Sequence, residues 1–502
     1  MDPLFITIAV VVVATLFLVT KSYLSRKNLP PTIFPTLPII GHLHLMNKPL
    51  YRTYAELTNK HGPILLLSFG SRRVLLLADP KLTEECFTKQ NDIIFANRPN
   101  LLFGKILGDN FTNMAWSPYG EHFLNLRKIS STEFFSSHRI NEFYNVRAQE
   151  GKIMLTSLAS KCSTSSEVNL SSVINDFATN NLMMSVSGKR FSGEDEALGK
   201  QFQEIVKETF ELGLSTNLAD YIPFMRRFGS TKELEKKMHA CVEKRDTFFH
   251  ALIDQVRQGK GVLTDKWITM IGVFLKLQQQ DPQHYTDDLI TAVLLNILAA
   301  GIEKCTSITV WALALMLNNP HVLKKAHEEI DNIVGTDRLV EESDLSKLPY
   351  LRCIVNETMR LYPAVPTLLP HENSEDCVVG GYHIPKGAML MVNQWAVQHD
   401  PKLWSDPQSF KPERFEGPES TTPPKLKYMP FGSGVRMCPG YGLGIPLIGL
   451  GLSLLIQCFD FERIGKDLVD MTEGGGLVMI KGQPLIAKCT PRPKTQKLIS
   501  QA

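Results

Sequence analysis

Residues 431–440 read FGSGVRMCPG and lead into a long apolar segment, GYGLGIPLIGLGLSLLIQCF. The apolar segment predicts a helix that begins just after Cys438. A thiolate in front of a helix N-terminus is stabilised by the free backbone N–H groups and by the helix dipole. Glycines let the backbone approach a flat group closely, and Arg436 adds a charge nearby. An ordinary loop would explain Cys438 alone, but not its combination with Phe431, Gly434, Arg436 and Gly440.

The overall composition is that of an ordinary globular protein. The chain has 502 residues, of which 43% are hydrophobic and 21% are charged, and its formal net charge is +3. So small a charge argues against a nucleic-acid partner. Nine cysteines are spread widely without a CxxC pair, which argues against a disulfide framework and against a zinc site. Most of them are therefore expected to be buried thiols in a reducing compartment.

The N-terminus carries the pattern of a membrane anchor. Residues 4–20 contain no charged side chain, which suits a helix that spans a bilayer, and Lys21, Arg26 and Lys27 follow. A cleaved signal peptide and a buried helix are the alternatives, but a signal peptide usually carries its positive charge before the apolar stretch. Here Asp2 stands at that place. We therefore predict a transmembrane signal anchor over residues 1–20, with the following domain in the cytosol.

Four prolines between residues 30 and 38 follow the anchor, and such a stretch is stiff and extended. Residues 21–44 are therefore predicted to form a basic, proline-rich hinge, a spacer that orients the rest of the chain on the membrane. Residues 45–502 contain no repeat and no second linker. They are predicted to form one catalytic domain.

Helical patterns dominate from about Lys81 onward, with a few short β-rich runs between them. The longest helical pattern begins at Thr286, an N-cap residue followed by two acids, and stops before Pro320. It is apolar on nearly all sides, which predicts that it crosses the interior. Residues 64–77 are predicted to form a hairpin, and short strands are expected near residues 377–384 and 476–480. The predicted fold class is mainly α with a smaller β region.

The stretch at residues 431–440 resembles the haem-binding loop of the cytochrome P450 monooxygenases, whose pattern is FxxGxRxCxG. The resemblance implies the cytochrome P450 fold, haem b as the cofactor and Cys438 as the thiolate ligand of its iron. It also implies that Arg436 meets a haem propionate, in a loop shaped by Phe431, Gly434 and Gly440. The enzyme would use O2 and electrons that NADPH–cytochrome P450 reductase takes from NADPH.

Two further motifs follow in the order that the family has. Glu357 and Arg360 form an ExxR sequence, one helical turn apart, and Arg414 lies in a PERF sequence. By the resemblance these three side chains would form a buried, structural charge triad behind the haem. The stretches LPIIGHLHL, RLYPAVP, DMTEGGGL and AKCTPRP are similar to plant microsomal members, among them isoflavone hydroxylases and methylenedioxy-bridge enzymes. That similarity implies a single-pass protein of the endoplasmic reticulum membrane.

One departure from the family pattern lies on the helix that enters the haem site. The chain reads YGEHFLNLRK where plant members usually read YGxxWRxLRK, so Phe123 and Leu124 replace a tryptophan and an arginine that donate to a haem propionate. Arg127 remains, and His371 stands where the family often has a propionate partner. We expect haem still to bind, with its propionates less firmly held.

A second departure lies in AAGIEKCTS, on the long helix, where the family reads (A/G)Gx(D/E)T(T/S). Ala300 and Gly301 would leave room for O2 and substrate, and Glu303 keeps the acid. Lys304 replaces the threonine that helps to deliver protons, and a charged lysine has no acceptor with which to relay them. It could pair with Glu303 or extend outward, leaving Thr306, water or the substrate to carry protons. Alternatively, burial lowers its pKa so that it donates a proton itself, or the reaction is an oxidative ring closure.

By the same resemblance, five segments would line the substrate pocket with mostly apolar residues. These are Leu102, Phe103 and Phe111; Phe210 and Leu214; Ile297, Ala300 and Gly301; Val365, Thr367, Leu368 and Leu369; and Gly476 and Leu477. Without the resemblance all of them would be interpreted as ordinary core. Together they predict a small, largely hydrophobic substrate, an aromatic, phenolic or alkaloid-like plant metabolite.

The predicted function is a haem-thiolate monooxygenase that hydroxylates such a substrate or closes a ring on it. A reductase-independent haem isomerase that rearranges peroxides is the main alternative, because such enzymes also lack the threonine. They commonly carry an altered cysteine loop, however, whereas the loop in this chain is regular. A non-catalytic haem protein is a third alternative, favoured by the weakened propionate contacts.

Overall fold

A computed structural model of the chain describes residues 28–191, 196–213, 217–227, 229–259, 268–417, 427–476 and 478–501. The predicted membrane anchor over residues 1–20 lies outside the described residues, as does the beginning of the predicted hinge. Leu214 and Leu477, both predicted to line the substrate pocket, also lie outside them.

The described residues form many helices and a smaller number of strands, which confirms the predicted fold class. The α-helices are α1 (Leu50–His61), α2 (Pro80–Cys86), α3 (Lys89–Ile94), α4 (Leu102–Ile106), α5 (Glu121–Ile129), α6 (Ser137–Glu142), α7 (Tyr144–Thr164), α8 (Leu170–Ser187), α9 (Glu196–Gly213), α10 (Gly229–Arg257), α11 (Met270–Gln280), α12 (Asp287–Asn318), α13 (Pro320–Ile333), α14 (Pro349–Leu361), α15 (Gln394–Gln398), α16 (Tyr441–Cys458) and α17 (Gln496–Ser500). The strands are β1 (Ile64–Phe69), β2 (Arg72–Leu77), β3 (Glu167–Asn169), β4 (His371–Glu372), β5 (Cys377–Val379), β6 (Tyr382–Ile384), β7 (Met389–Val392), β8 (Phe459–Glu462) and β9 (Ile486–Pro491).

The strands form three small sheets. The largest has the order β1-β2-β7-β4, a second has β3-β9-β8, and β5 and β6 pair as a hairpin. The predicted hairpin over residues 64–77 is present as β1 and β2, antiparallel, with Ile64 opposite Leu77. β2 also pairs in parallel with β7, and Leu75 and Leu76, which point to opposite faces, are both fully buried because both faces of this strand are covered.

The described residues of the predicted strand over residues 476–480, which are 476 and 478–480, do not form a strand. The N–H of Gly474 donates to the carbonyl of Ile480 at 2.7 Å, and the N–H of Met479 donates to the carbonyl of Ala364 at 2.9 Å. The backbone here turns back on itself, because three consecutive glycines precede the apolar residues and favour a turn over a strand.

The proline-rich segment, so far as it is described, is docked on the body and is not a free spacer. The carbonyl of Pro31 accepts the N–H of Leu66 in β1 at 2.8 Å, and the carbonyl of Asn28 accepts the N–H of His383 in β6 at 2.6 Å. Ile33 is buried in the core beneath β1. Prolines lack an N–H but keep their carbonyl, so an extended proline-rich chain can still accept hydrogen bonds from a sheet.

The longest helix, α12, crosses the interior as the sequence predicts. The Thr286 hydroxyl accepts the N–H of Leu289 at 3.2 Å and caps the helix, and Pro320 begins the next one. By length and composition α12 and α16 could each span a membrane, but about two-thirds of the most apolar part of each is buried inside the protein. Among the described residues these two helices are therefore core helices.

The helix α8 packs closely against α12 at a glycine. A Cβ atom placed on Gly301 would lie 2.6 Å from Cδ1 of Leu182. Gly301 was expected to leave room for O2 and substrate. It does border the internal cavity described below, but the missing side chain also allows these two helices to approach.

Candidate active site

The loop that contains Cys438 is held in front of the N-terminus of α16. The N–H of Cys438 donates to the carbonyl of Phe431 at 2.9 Å, which closes the loop. The backbone N–H groups of Gly440 and Tyr441 donate to the Cys438 sulfur. Burial raises the pKa of Cys438, while these N–H groups and the charges of Lys304 and Arg127 act in the opposite direction. The sulfur therefore has the stabilising donors expected of a metal-binding thiolate.

An aspartate that no sequence pattern indicated, Asp92, anchors the same loop. The Asp92 carboxylate accepts the N–H of Val435 at 3.0 and 3.1 Å. Gly434 has a φ of +71°, and a Cβ atom on it would lie 2.1 Å from Oδ1 of Asp92. The glycine is thus required both by its backbone conformation and by the close carboxylate. Asp92 and Val435 are more than 300 residues apart, so no local sequence pattern indicates that they are in contact.

An internal cavity of about 350 Å³ lies between α12 and this loop. Phe431, Cys438 and Gly440 line it from the loop side. Of the residues predicted to line a substrate pocket, eight border the cavity: Phe103, Phe210, Ile297, Ala300, Gly301, Val365, Leu368 and Leu369. They come from elements far apart in the sequence, as the predicted pocket requires.

Four of the predicted pocket residues lie elsewhere. Phe111 packs over Gly104, where a Cβ atom would lie 2.5 Å from its ring, and it does not reach the cavity wall. Leu102 is buried in a separate apolar cluster, and Gly476 is also absent from the wall. Thr367 is buried beside the wall, with its hydroxyl 3.4 Å from the carbonyl of Leu368. Proximity in sequence to lining residues did not reveal which way these side chains point.

Three arginines border the cavity close to one another. The Arg436 guanidinium donates to the carbonyls of Ala96 at 2.7 Å and Met114 at 3.2 Å. Burial and the neighbouring charge of Arg127 lower the pKa of Arg436 to about 9. Burial also lowers the pKa of Arg127. Arg436 is thus held by backbone carbonyls and not by an acid.

The third arginine, Arg98, was also missed in the sequence. Its guanidinium donates to the carbonyls of Ala115 at 2.9 Å and Pro370 at 2.8 Å. Burial and the charge of Arg436 lower its pKa well below the usual range. Arg98 belongs to no recognisable sequence motif, so its position at the cavity could not be predicted from the sequence. Of the described residues that form the cavity wall, none is an aspartate or a glutamate.

The predicted charge triad lies behind the cavity. The Arg360 guanidinium donates to both carboxylate oxygens of Glu357, at 2.7 and 2.8 Å, and the Arg414 Nε donates to Glu357 at 3.1 Å. Glu357 and Arg360 are fully buried. Arg360 also donates to the carbonyls of Gln398 and Pro407, each at 2.8 Å, so its charge is well satisfied.

Comparison with known proteins identifies the family. The Cytochrome P450 family model matches residues 31–487. The chain belongs to the cytochrome P450 family. A cytochrome P450 81Q32 of Catharanthus roseus is 44% identical over 95% of this chain and 94% of that protein. The (+)-piperitol/(+)-sesamin synthase CYP81Q2 of Sesamum radiatum is 42% identical over 99% and 97%, and an isoflavone 2'-hydroxylase of Glycyrrhiza echinata is 42% identical over 95% and 94%.

The fold agrees with solved cytochrome P450 structures. A zebra fish cytochrome P450 structure with progesterone superposes with a TM-score of 0.76, at 25% identity, over 89% of this chain and 100% of that one. The protein is therefore a plant-type cytochrome P450 monooxygenase that uses haem b, O2 and electrons from NAD(P)H through a reductase. When bound, the haem supplies the oxidising chemistry, and the protein supplies binding and orientation.

The cytochrome P450 cavity suits haem in its charges and its donor atoms. Cys438 offers a sulfur ligand for iron, and Arg98, Arg127 and Arg436 present positive charge with no acid in the described wall. Haem carries two propionates, which would neutralise charge at this arginine cluster. Arg127 has no ion pair or hydrogen bond with a described residue, so its guanidinium is available for such a group.

The two unusual residues on α5 differ in their importance for this cytochrome P450. The Phe123 ring is buried and packs against the Arg436 guanidinium, 3.8 Å from its central carbon to the ring centre. Phe123 cannot donate a hydrogen bond, but it orients a residue that can. Leu124 is 47% exposed and does not border the cavity, so its side chain takes no part in the cavity wall. Successive side chains on a helix point in directions about 100° apart, so Leu124 points away from the cavity that Phe123 borders.

His371 borders the cavity next to the arginines. Its Nδ1 donates to the carbonyl of Phe95 at 2.8 Å, so Nε2 is the nitrogen left for a ligand. Burial and the charges of Arg98 and Arg436 lower the pKa of His371 well below its usual range. Nε2 can donate to a carboxylate only when the ring is protonated, and an added negative charge would favour that state.

Lys304 borders the cavity from α12. Its Nζ lies 4.7 Å from the centre of the Phe210 ring, and no described carboxylate lies within ion-pair distance. Burial lowers the pKa of Lys304 to about 8, whereas Glu303, Cys438 and Cys305 act in the opposite direction. The interpretations in which Lys304 pairs with Glu303 or extends outward do not fit this geometry.

Glu303 and Thr306 do not border the cavity with Lys304. Glu303 is partly buried on another face of α12, and burial raises its pKa. The Thr306 hydroxyl is buried and finds no hydrogen-bond partner among the described residues. Helical geometry brings residues 300, 301, 304 and 305 to the cavity and turns 303 and 306 away. The structure thus does not bring Thr306 to the place where protons are needed.

Proposed function

We propose that this cytochrome P450 oxidises a small aromatic plant specialised metabolite, with electrons that NADPH–cytochrome P450 reductase delivers. The observation that carries the proposal is the wall of the cavity away from the arginines. Phe103, Phe210, Ile297, Val365 and Leu369 give it an apolar and partly aromatic surface. Such a surface suits a flat hydrophobic substrate.

The relatives support the same substrate class. The isoflavone 2'-hydroxylase and the (+)-piperitol/(+)-sesamin synthase are named for aromatic plant compounds, and each is 42% identical to this chain. We extend that class to this protein, without a specific compound.

Hydroxylation and oxidative ring closure are both open to an enzyme of this kind. The residue that favours ring closure is Lys304, because it stands where the family has a threonine hydroxyl and because Thr306 does not replace that hydroxyl at the cavity. In a ring closure a substrate hydroxyl near the reacting carbon supplies the polar group that the protein lacks. The substrate then loses two hydrogens, and these, with two electrons from NADPH and two protons, reduce O2 to two molecules of water.

The protein is further proposed to lie on the endoplasmic reticulum membrane, anchored once by residues 1–20, with its catalytic domain in the cytosol. The uncharged residues 4–20 and the basic residues after them support this topology. Protease protection of microsomes, with an epitope at each end of the chain, tests it: the C-terminal epitope should be digested in intact vesicles.

The decisive experiment begins with the CO-difference spectrum of the reduced protein. Cys438→Ala should abolish the band of thiolate-ligated haem, whereas Cys162→Ala, a partly buried cysteine away from the cavity, should retain it. Absence of the band in the unmodified protein would contradict the assignment.

The second step is a screen of aromatic and alkaloid-like compounds with the reductase, read by mass spectrometry. A gain of one oxygen identifies hydroxylation, and a loss of two hydrogens without added oxygen identifies ring closure. Turnover should require both NADPH and reductase. Conversion of a peroxide without either of them would favour the isomerase instead.

A further inference from the structure

The Lys304 ammonium is a buried positive charge that forms no ion pair with a described carboxylate. It borders the cavity, its Nζ lies 4.7 Å from the centre of the Phe210 ring, and no described aspartate or glutamate borders the same cavity. A buried ammonium that no carboxylate contacts is costly, and a ring face compensates only part of that cost.

The arginine cluster is separate from Lys304, so a group that neutralises the arginines need not neutralise the lysine. Arg98 and Arg436 donate to backbone carbonyls, and each of the two feels the charge of another arginine of the cluster. None of the three arginines is among the groups that act on Lys304, which are Glu303, Cys438 and Cys305. The two propionates of haem can therefore neutralise the arginine cluster and still leave Lys304 unpaired.

A second polar side chain lies along the same face of α12. Asn296 borders the cavity two helical turns before Lys304, with Ala300 between them, and its carboxamide forms no hydrogen bond with a described residue. Because Ala300 is small, a ligand can lie along this face and reach both polar groups. Phe210 supplies an aromatic surface beside it.

We propose that Lys304 recognises a negatively charged group of the substrate, and that the substrate is an aromatic carboxylate. The proposal rests on the proposed function, since it names the substrate class of the same cavity. A carboxylate matches the charge and the donor geometry of an ammonium, and the aromatic part fits against Phe210 and the apolar wall. Lys304 then determines specificity at a position where the family usually has a hydroxyl.

The test measures binding and not turnover. Three carboxylates, 2-naphthoate, 4-biphenylcarboxylate and trans-cinnamate, are each compared with the matching carboxamide, which keeps the shape and removes the charge. Affinity is read from the optical change of the haem in the full-length holoenzyme and from the shift in thermal midpoint. At least one carboxylate should bind roughly 10-fold or more tightly than its amide. Lys304→Met should remove this preference, and Lys304→Arg should retain much of it.

Matched controls separate the charge effect from damage to the fold. Lys324→Met removes an exposed lysine on α13 and should leave the preference unchanged. Each variant must retain the CO-difference band, which also separates this test from a failure of the proposed function.

Three results would overturn the proposal. In the first, protein that retains its CO-difference band binds each carboxylate no more tightly than the matching amide, or binds no carboxylate at all. A second is a preference that persists in Lys304→Met. The third is a resting spectrum that shows nitrogen ligation of the haem and is lost in Lys304→Met, because the amine would then be occupied by iron.

Discussion

The Nζ of Lys304 on α12 lies 4.7 Å from the centre of the Phe210 ring on α9. This contact connects the two helices across the cavity and keeps the charged end of the lysine inside the protein. It explains why Lys304 neither pairs with its neighbour Glu303 nor extends to solvent. The residue that replaces the family's threonine thus forms part of the cavity wall.

Replacement of Lys304 by threonine should improve the coupling of NADPH consumption to product formation. A hydroxyl both donates and accepts a hydrogen bond, so it can pass protons where an ammonium cannot. With a neutral substrate we expect peroxide released per NADPH to fall by roughly 10-fold, with the product unchanged. Peroxide and product are measured together. A ring-closed product that gives way to an alcohol would show instead that Lys304 directs the outcome of the oxidation.

Phe123→Leu should weaken the retention of haem. The ring lies against the Arg436 guanidinium, and a contact of this kind contributes about 1 kcal/mol, which corresponds to about a fivefold faster loss of haem. Transfer of haem to an excess of apomyoglobin measures the rate. Phe123→Trp is the control, because it keeps an aromatic face; equal rates for the leucine and tryptophan variants would show that the contact does not matter.

Gly434→Ala should destabilise the cysteine loop more than a positive φ alone explains. Gly387 has a similar φ of +75° but nothing near its Cβ position, whereas a Cβ on Gly434 would lie 2.1 Å from the Asp92 carboxylate. Gly387→Ala should cost about 1 kcal/mol, and Gly434→Ala at least about 1 kcal/mol more. Thermal midpoints and the ratio of haem to protein give the comparison. A similar loss in both variants would mean that Asp92 moves aside without cost.

Glu357→Gln should be strongly destabilising. The carboxylate is fully buried and accepts from Arg360 and Arg414, and it also accepts the N–H of Lys411 at 3.0 Å. A neutral amide leaves the buried Arg360 charge uncompensated, at a cost of about 3–5 kcal/mol. The yield of haem-loaded protein and the urea midpoint are the measurements. As a control, Lys324→Met removes only an exposed ion pair and should change the urea midpoint little.

His399 should make the protein less stable in mild acid. Burial, with the charges of Arg360 and Arg52, lowers its pKa to about 3, against about 6.5 in the unfolded chain. Below pH 6.5 the unfolded state gains a proton that the folded state does not, so stability is full above that pH and is lost as the pH falls. At pH 5 the loss is about 2 kcal/mol.

Urea unfolding of His399→Phe at pH 7.5 and pH 5.0 tests this expectation. The aromatic replacement keeps the stacking on Trp395, whose ring centre lies 4.2 Å from that of His399. The decrease in unfolding free energy between the two pH values should be about 2 kcal/mol smaller than in the unmodified protein. His138→Gln, at an exposed histidine, should leave that decrease unchanged.

The sequence allowed the prediction of features that depend on local spacing. Cys438 lies in a motif of ten residues, Glu357 and Arg360 lie one turn apart, and Thr286 marks the start of a long apolar run. The side chains that complete the cavity, Arg98 and Asp92 above all, depend on chain segments far apart in sequence. Only the fold brings them together, so no local pattern could have identified them.

The sequence also did not reveal which way each side chain points. Leu124 stands next to Phe123, and Thr306 stands two residues after Lys304, yet neither borders the cavity. A motif aligned along the chain assigns positions, whereas the helical rotation of about 100° per residue decides which positions face a ligand.

The hydrogen bond from His383 to the carbonyl of Asn28 fixes the chain to the β5–β6 hairpin only a few residues after the predicted anchor. With the anchor ending at residue 20, the stretch up to Asn28 has a contour length of at most about 30 Å. The hairpin must then remain within that distance of the bilayer surface, which limits how far the catalytic domain can swing. A substrate that partitions into lipid would then meet a catalytic domain that this short tether holds close to the bilayer.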